Sequence, residues 1–437
     1  MSTREMKPIA RLGAALPPGT QMVAGGTVVL GAASYLHLAV AGHSLTTQAM
    51  AGVSVLWTIV MSVGIGLFFP IEQELTRIVA ARTVRGEGAA PVLRRALLLT
   101  TGILAVVVGL LAVLARQLAD LLFHGDLQLV AALGGAFVTM AFCYLSRGLL
   151  AGLGLFTAYG TQLAVDGALR IVLAFGCSLA GLHSALAFSL ILTLAPLVSL
   201  AATLPAALRG AARPGPAIGW PELVGGLGLL ICSTLLAQWM VSAAVLSIQL
   251  LEPRQVDLVA ALLSALVLAR VPIFVFGALQ ASLLSGLAGA AAAGEHTAFR
   301  RMLRKACLAV AALSAAIGLP AVVLGPWLIH LLFAAPRVLT RTDFLWLVLG
   351  TFGYLLGMVL GQALIVLHRH RAQLLSWLLG TAVLLAVTLA PGPIATRVCL
   401  AFAAGPAATA AVMLLALRRS AAATAPDTAE PKTLSRS

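Results

Sequence analysis

Ionisable side chains set inside long apolar runs are the residues of this sequence with chemistry to offer, because each is costly there unless it faces water or a partner. Asp166 and Arg170 stand four residues apart, which puts both on one helix face where they can pair. Arg270 precedes Pro272 by two positions. Proline removes a backbone donor and kinks a helix, so an arginine beside it suits the wall of a cavity that must flex. Arg147 stands just ahead of the Gly148 to Phe156 turn, where it could guard an inner mouth. Glu72 and Glu74 follow Pro70, with Arg77 next, and could form a cytoplasmic gate with the basic loops. His37, in the first apolar run, could titrate or bind ligand.

The chemistry these residues imply is binding, with no bond made or broken. Arginine holds phosphate through a planar fork of donors, so Arg270, Arg170 and Arg147 are candidate substrate-binding cavity residues. Asp166 is the candidate site for a coupling ion, or the charge partner of Arg170. Plainer readings stay open beside these. The Asp166–Arg170 pair could simply neutralise itself, Arg147 could snorkel to an interface, the two glutamates could be ordinary helix-end residues, and His37 could be a satisfied packing residue. The sequence holds no Walker lysine motif, Gly152-Leu153-Gly154 follows no strand, and His368 and His370 sit in a basic loop without metal-ligand spacing. Cys143, Cys177, Cys232, Cys307 and Cys399 fall inside apolar runs and read as small hydrophobes. No cofactor, metal or catalytic residue is expected.

The elements that must position these groups are helices in lipid. Hydrophobic residues make up 61% of the 437 and charged residues 10%, against about a quarter charged in a soluble globule. The chain cannot cover itself with polar side chains. In lipid the backbone must satisfy its own hydrogen bonds, which leaves helices or closed barrels. The apolar runs are about 20 residues long and do not alternate, so they are helices. About twelve such runs are expected, the second at roughly 46–70, the eighth at roughly 257–282 and the ninth at roughly 305–325. The run from about Gln21 is long enough to span and more runs follow at once, so it stays as the first helix.

The net charge of +14 sits in short loops, which argues for membrane orientation and against nucleic acid. With a cytoplasmic N-terminus, only Arg116, Arg254, Arg337, Arg341 and Arg397 among the loop cations fall outside. That asymmetry predicts both termini in the cytoplasm and an even number of spans. The abundance of alanine, and of arginine over lysine, suggests a GC-rich bacterial genome, and the expected location is a bacterial cytoplasmic membrane.

The chain also reads as two halves. The Gly- and Arg-rich loop around Gly86, Gly88, Arg94 and Arg95 has an echo around Gly289, Gly294, Arg300 and Arg301. Leu118–Phe123 likewise echoes Leu328–Phe333. Both offsets are near half the chain, so the expected fold is all-α, with two parallel six-helix lobes around a central cavity. The expected divisions are an N-terminal segment 1–19, an N-lobe 20–208, a linker 209–220, a C-lobe 221–417 and a disordered tail 418–437.

The stretches Phe68-Phe69-Pro70-Ile71-Glu72-Gln73-Glu74-Leu75-Thr76-Arg77 and Arg147-Gly148-Leu149-Leu150-Ala151-Gly152-Leu153-Gly154, with the six-plus-six layout, resemble the multidrug/oligosaccharidyl-lipid/polysaccharide exporter superfamily. The resemblance is greatest to its polysaccharide biosynthesis branch, the O-antigen-type flippases. It implies a lipid-linked oligosaccharide flippase working by alternating access. Its partners would be the bilayer, a polyprenyl-pyrophosphate glycan and the enzymes of glycan synthesis, with Arg270 and Arg170 serving a cationic cavity. No arginine occurs between Gln21 and Ala41, where the lipid II flippase branch typically has them, and the first span lacks the acidic cation site that the drug-exporting branch often carries there. The alternative expectation is a cation- or proton-coupled small-molecule exporter. A membrane enzyme is disfavoured by the short outer loops, and a transport-inactive scaffold is the remaining option.

Overall fold

The computed structural model describes residues 19–251, 256–333 and 337–423. Among these residues every regular element is a helix: α1 Thr20–Ser44, α2 Thr47–Ile59, a π turn Val60–Gly64, α3 Ile65–Val84, α4 Ala90–Val113, α5 Ala115–Leu122, α6 Leu127–Gly152, α7 Phe156–Leu179 and α8 Ala185–Ala211. A second series follows: α9 Trp220–Val224, α10 Leu227–Leu251, α11 Val256–Ala292, α12 His296–Phe333, α13 Arg341–Val366, α14 His370–Thr388 and α15 Ile394–Ala423. Eleven described segments are long and apolar enough to cross a membrane. The 37-residue α11 would span about 55 Å at 1.5 Å per residue and completes the expected twelve.

Local signals set the helix starts. Thr46, Asp126 and Ser184 each accept a hydrogen bond from the first turn of the following helix. Thr340 and Asp343 form a reciprocal capping box at α13. Pro70 does not stop the second span. From Gln48 to Val84 the chain runs as one apolar segment, relaxed through the π turn just ahead of the proline, a local widening often found at functional sites. The second span is therefore longer than its apolar core, and Glu72, Glu74 and Arg77 lie within the helix. The ninth span is longer than expected, running as one helix from His296 through Pro320 and Pro326 to Phe333, and the last helix passes Arg419 to reach Ala423.

The two halves repeat each other in packing. In the N-lobe α1 meets α7, α3 meets α6, and α8 meets both α6 and α7. In the C-lobe α10 meets α14, α11 meets α13, and α15 meets both α13 and α14. The central spans Leu127–Gly152 and Arg341–Val366 are both 61% buried, while Ala90–Val113 and His296–Leu331 are both 17% buried. Equivalent positions in the repeat thus have equal environments. The peripheral helices turn large apolar side chains outward, among them Val113, Leu179 and Leu319, as lipid-facing helices do.

The lobes meet through α3 with α10 and α11, and through α1 with α11, a set that is its own image under the repeat. These contacts concentrate at the end that carries the basic loops. There Ala80 joins Leu230, Leu284, Leu287 and Ala288 in one apolar cluster. Arg82 donates to the Pro216 carbonyl at 2.6 Å, and the Arg95 guanidinium lies 5.4 Å over the Trp220 ring. Toward the opposite end the apolar clusters belong to one lobe each. The lobes are joined at the basic end and part toward the other.

Candidate functional site

Between the lobes lies a cavity of about 520 Å³. α1, α2, α3, α6 and α7 line it from one side, and α10, α11, α13 and α14 from the other. The backbone makes this room. Gly357 and Gly361 face it from α13, where a larger side chain would fill the space in front of Trp377 and Gln373. Gly353, one turn earlier, packs tightly instead: a Cβ there would lie 3.0 Å from the Ala407 nitrogen. The repeated glycine face is thus a packing surface at one end and a cavity wall at the other.

The charged residues named from the sequence divide into three groups. Arg147 and Glu72 line the cavity, and they are the only charged groups among its described lining residues. Glu72 accepts a hydrogen bond from the Tyr159 hydroxyl at 2.7 Å, and its second oxygen is buried without a partner. Arg147 lies over the Tyr144 ring at 5.4 Å and reaches the Asp166 carboxylate at 3.5 Å.

Asp166 and Arg170 form the second group, behind the cavity wall. Arg170 Nε donates to Asp166 Oδ1 at 2.8 Å and its NH2 to Oδ2 at 3.2 Å. The pair expected from the four-residue spacing is present, and Arg147 joins it to make a triad of two guanidinium groups on one carboxylate. Asp166 is 1% exposed. Neither it nor Arg170 reaches the cavity.

The third group bridges the lobes at the basic end. Glu74 accepts from Arg77 Nε at 3.1 Å, and Arg77 NH1 meets His368 Nε2 at 2.9 Å. Glu72 and Glu74 are two residues apart on α3 and so point to different surroundings, one to the cavity and one to this bridge. His37 has a packing role: its Nε2 donates to the Phe188 carbonyl at 3.0 Å and its ring stacks on Phe188. Arg270 lies on α11, and its side chain is outside the described residues.

Sequence reasoning missed the neutral members of the site. Gln73, Gln238, Gln280, Gln362 and Gln373 all line the cavity, with Tyr144 and Tyr159. The signal was available, since an amide inside an apolar run needs a partner just as a charge does. Among the described residues no cluster of three His, Cys, Asp or Glu side chains is placed to hold a metal.

No protein-family model and no curated protein sequence matches the chain. Solved structures do. A mutant of the Vibrio cholerae MATE transporter VcmN aligns over 92% of this chain and 95% of its own, with a TM-score of 0.78 and 16% identity. The fold is that of the MATE transporters. A eukaryotic MATE transporter aligns over 92% of this chain and 95% of its own at a TM-score of 0.71 and 13% identity. An outward-facing multidrug resistance MATE transporter of the MOP superfamily aligns over 93% of this chain and 99% of its own, at a TM-score of 0.73 and 16% identity.

These likenesses bear out the all-α, two-lobe fold expected from the sequence. The expectation of a lipid-linked oligosaccharide flippase in polysaccharide biosynthesis is overturned, because the MATE transporters that match nearly end to end correspond to the alternative, a small-molecule exporter. The physical reason lies in the cavity. Its described charges are one cation and one anion, whereas a pyrophosphate needs converging guanidinium groups, and the guanidinium of Arg170 is spent on Asp166.

Proposed function

We propose that this protein exports small molecules across a bacterial cytoplasmic membrane by alternating access of its two lobes, coupled to a proton or cation gradient. The observation that carries the proposal is Glu72: a carboxylate on the wall of the inter-lobe cavity, held by Tyr159 through one oxygen and unpartnered at the other. We place both termini in the cytoplasm, because the loop cations concentrate on that side. The cavity then faces outward in this conformation, with the basic end closed.

Glu72 takes the role first assigned to Asp166. A proton or monovalent cation arriving from outside binds the free oxygen of Glu72 while Tyr159 holds the other. That step removes a negative charge and a hydrogen-bond acceptor from a wall it shares with Arg147, and so changes the affinity for a solute bound there. Asp166 fixes Arg147 and Arg170 and does not exchange its partners during the cycle.

The test is gradient-driven transport in proteoliposomes. Glu72→Gln keeps the shape of the group and its bond to Tyr159 but cannot take up a proton. It is expected to lose gradient-driven transport by at least about a hundredfold while still folding. Transport at the unaltered rate by this variant, under an imposed pH or sodium gradient, would overturn the proposal.

A further inference from the structure

We infer that the solute of this cavity is a neutral molecule rich in hydroxyl or amide groups, and that Gln73, Gln280, Gln362 and Gln373 are the residues that select it. The inference rests on the exporter reading above and names its substrate class. Four observations on the cavity lead to it.

The first is the supply of unpaired hydrogen-bonding atoms. The side-chain oxygens of Gln73, Gln362 and Gln373 and the side-chain nitrogen of Gln280 are buried without partners. Gln73, Gln362 and Gln373 are 5%, 1% and 6% exposed and all line the cavity, so these amides are enclosed by protein at its wall. Buried polar groups are as a rule hydrogen-bonded, and an unpaired set of this size at one place is a set kept for a ligand.

The second is position. Gln73, Gln280 and Gln362 also line a small crevice of about 30 Å³ together with Thr76. Thr76 lies toward the closed basic end of α3, so the amides form the floor of the cavity. Gln73 comes from the N-lobe and the other three from the C-lobe. A solute on that floor bonds to both lobes at once, as alternating access requires of a transported molecule.

The third is charge. Glu72 and Arg147 cancel each other among the described lining residues. These two charges give a lipophilic cation no net coulombic attraction there, and such a cation brings no donor for the three amide oxygens. A side-chain amide carries a donor and an acceptor side by side and pairs with hydroxyls and with other amides.

The fourth is the aromatic wall. Tyr354 and Trp377 lie at 5.7 Å from each other on the C-lobe side, and Phe69 and Tyr144 at 5.9 Å on the N-lobe side. All four line the cavity. They offer flat apolar faces to the ring or carbon skeleton of the same solute.

The experiment measures binding to the purified full-length protein in nanodiscs, with no gradient, so it is independent of the transport test of Glu72. The neutral probe is p-nitrophenyl glucoside and the cationic one is tetraphenylphosphonium. Saturable binding of the neutral probe, stronger than that of the cation, is expected. Gln362→Leu and Gln73→Leu are each expected to weaken the neutral probe about tenfold, the factor carried by one hydrogen bond, and to leave the cation unchanged. Gln362→Glu, of the same size but charged, is expected to reverse the preference in favour of the cation. Stronger binding of the cation to the unaltered protein would overturn the inference. So would equal losses for both probes, or leucine variants that bind the neutral probe as before, which would make the amides mere hosts of water. Loss of gradient-driven transport in Glu72→Gln alongside any of these results would leave the exporter reading in place and remove only the substrate class.

Discussion

At Asp166 one carboxylate answers two guanidinium groups, and all three side chains are nearly fully buried. Removing one partner from such a cluster leaves charge stranded in a low dielectric, at a cost of roughly 3–5 kcal/mol. Asp166→Asn is therefore expected to lower the unfolding temperature in detergent and reduce yield. The double variant Asp166→Asn with Arg170→Met should recover part of that loss. An Asp166→Asn protein as stable as the parent, yet inactive, would return Asp166 to the coupling role. The i, i+4 spacing of Asp166 and Arg170 was legible in the sequence because helical geometry makes it local. The approach of Arg147, 19 positions away on another helix, was not.

At the scale of the helix pair, α1 and α7 touch backbone to backbone. A Cβ on Gly160 would lie 2.3 Å from the Met22 carbonyl carbon, and one on Gly26 would lie 2.4 Å from the Gly160 oxygen. Backbone atoms cannot swing aside as a side-chain tip can. Gly160→Val is expected to separate the pair and destabilise the N-lobe by about 3 kcal/mol, read as loss of monodisperse protein in size-exclusion chromatography. Gly176, on the same helix with open space around its Cβ position, serves as the control, and Gly176→Val should be tolerated. The sequence placed the spans but not these contacts. Glycine is frequent along the whole chain, and hydropathy does not distinguish a glycine at a helix crossing from one facing lipid.

At the scale of the whole molecule, closure of the basic end decides which way the cavity faces. Arg77 crosses between lobes to the His368 ring, which sits at a left-handed turn with φ 56°. Burial and then the Arg77 guanidinium hold the His368 imidazole below its usual range, against the pull of Glu74 and Glu222, and His370 stands beside it on α14. A neutral ring can accept from Arg77 and a protonated one cannot. Since the group is held neutral in the closed form, closure is fully supported above the ordinary imidazole value of about 6.5 and weakens as pH falls below it. His368→Leu is expected to raise reagent access to a cysteine placed at Thr76 by about twofold to tenfold, the range of one half-buried hydrogen bond, and to abolish the pH dependence of that access. Unchanged labelling from pH 8 to pH 5 in the parent protein would count against this latch.

The sequence alone determined that the chain lives in lipid, that it is helical, that it has about twelve spans, and that its halves repeat. Those properties are written along one dimension, in hydropathy, spacing and loop composition. Only the tertiary structure decided which polar residues share a cavity, because Glu72, Tyr159, Gln280, Gln362 and Gln373 come from five helices in two lobes and meet only when those lobes close on each other at one end. It also overturned the flippase expectation: buried arginines look alike in a sequence, whether they face a substrate or, like Arg170, are turned away onto a carboxylate.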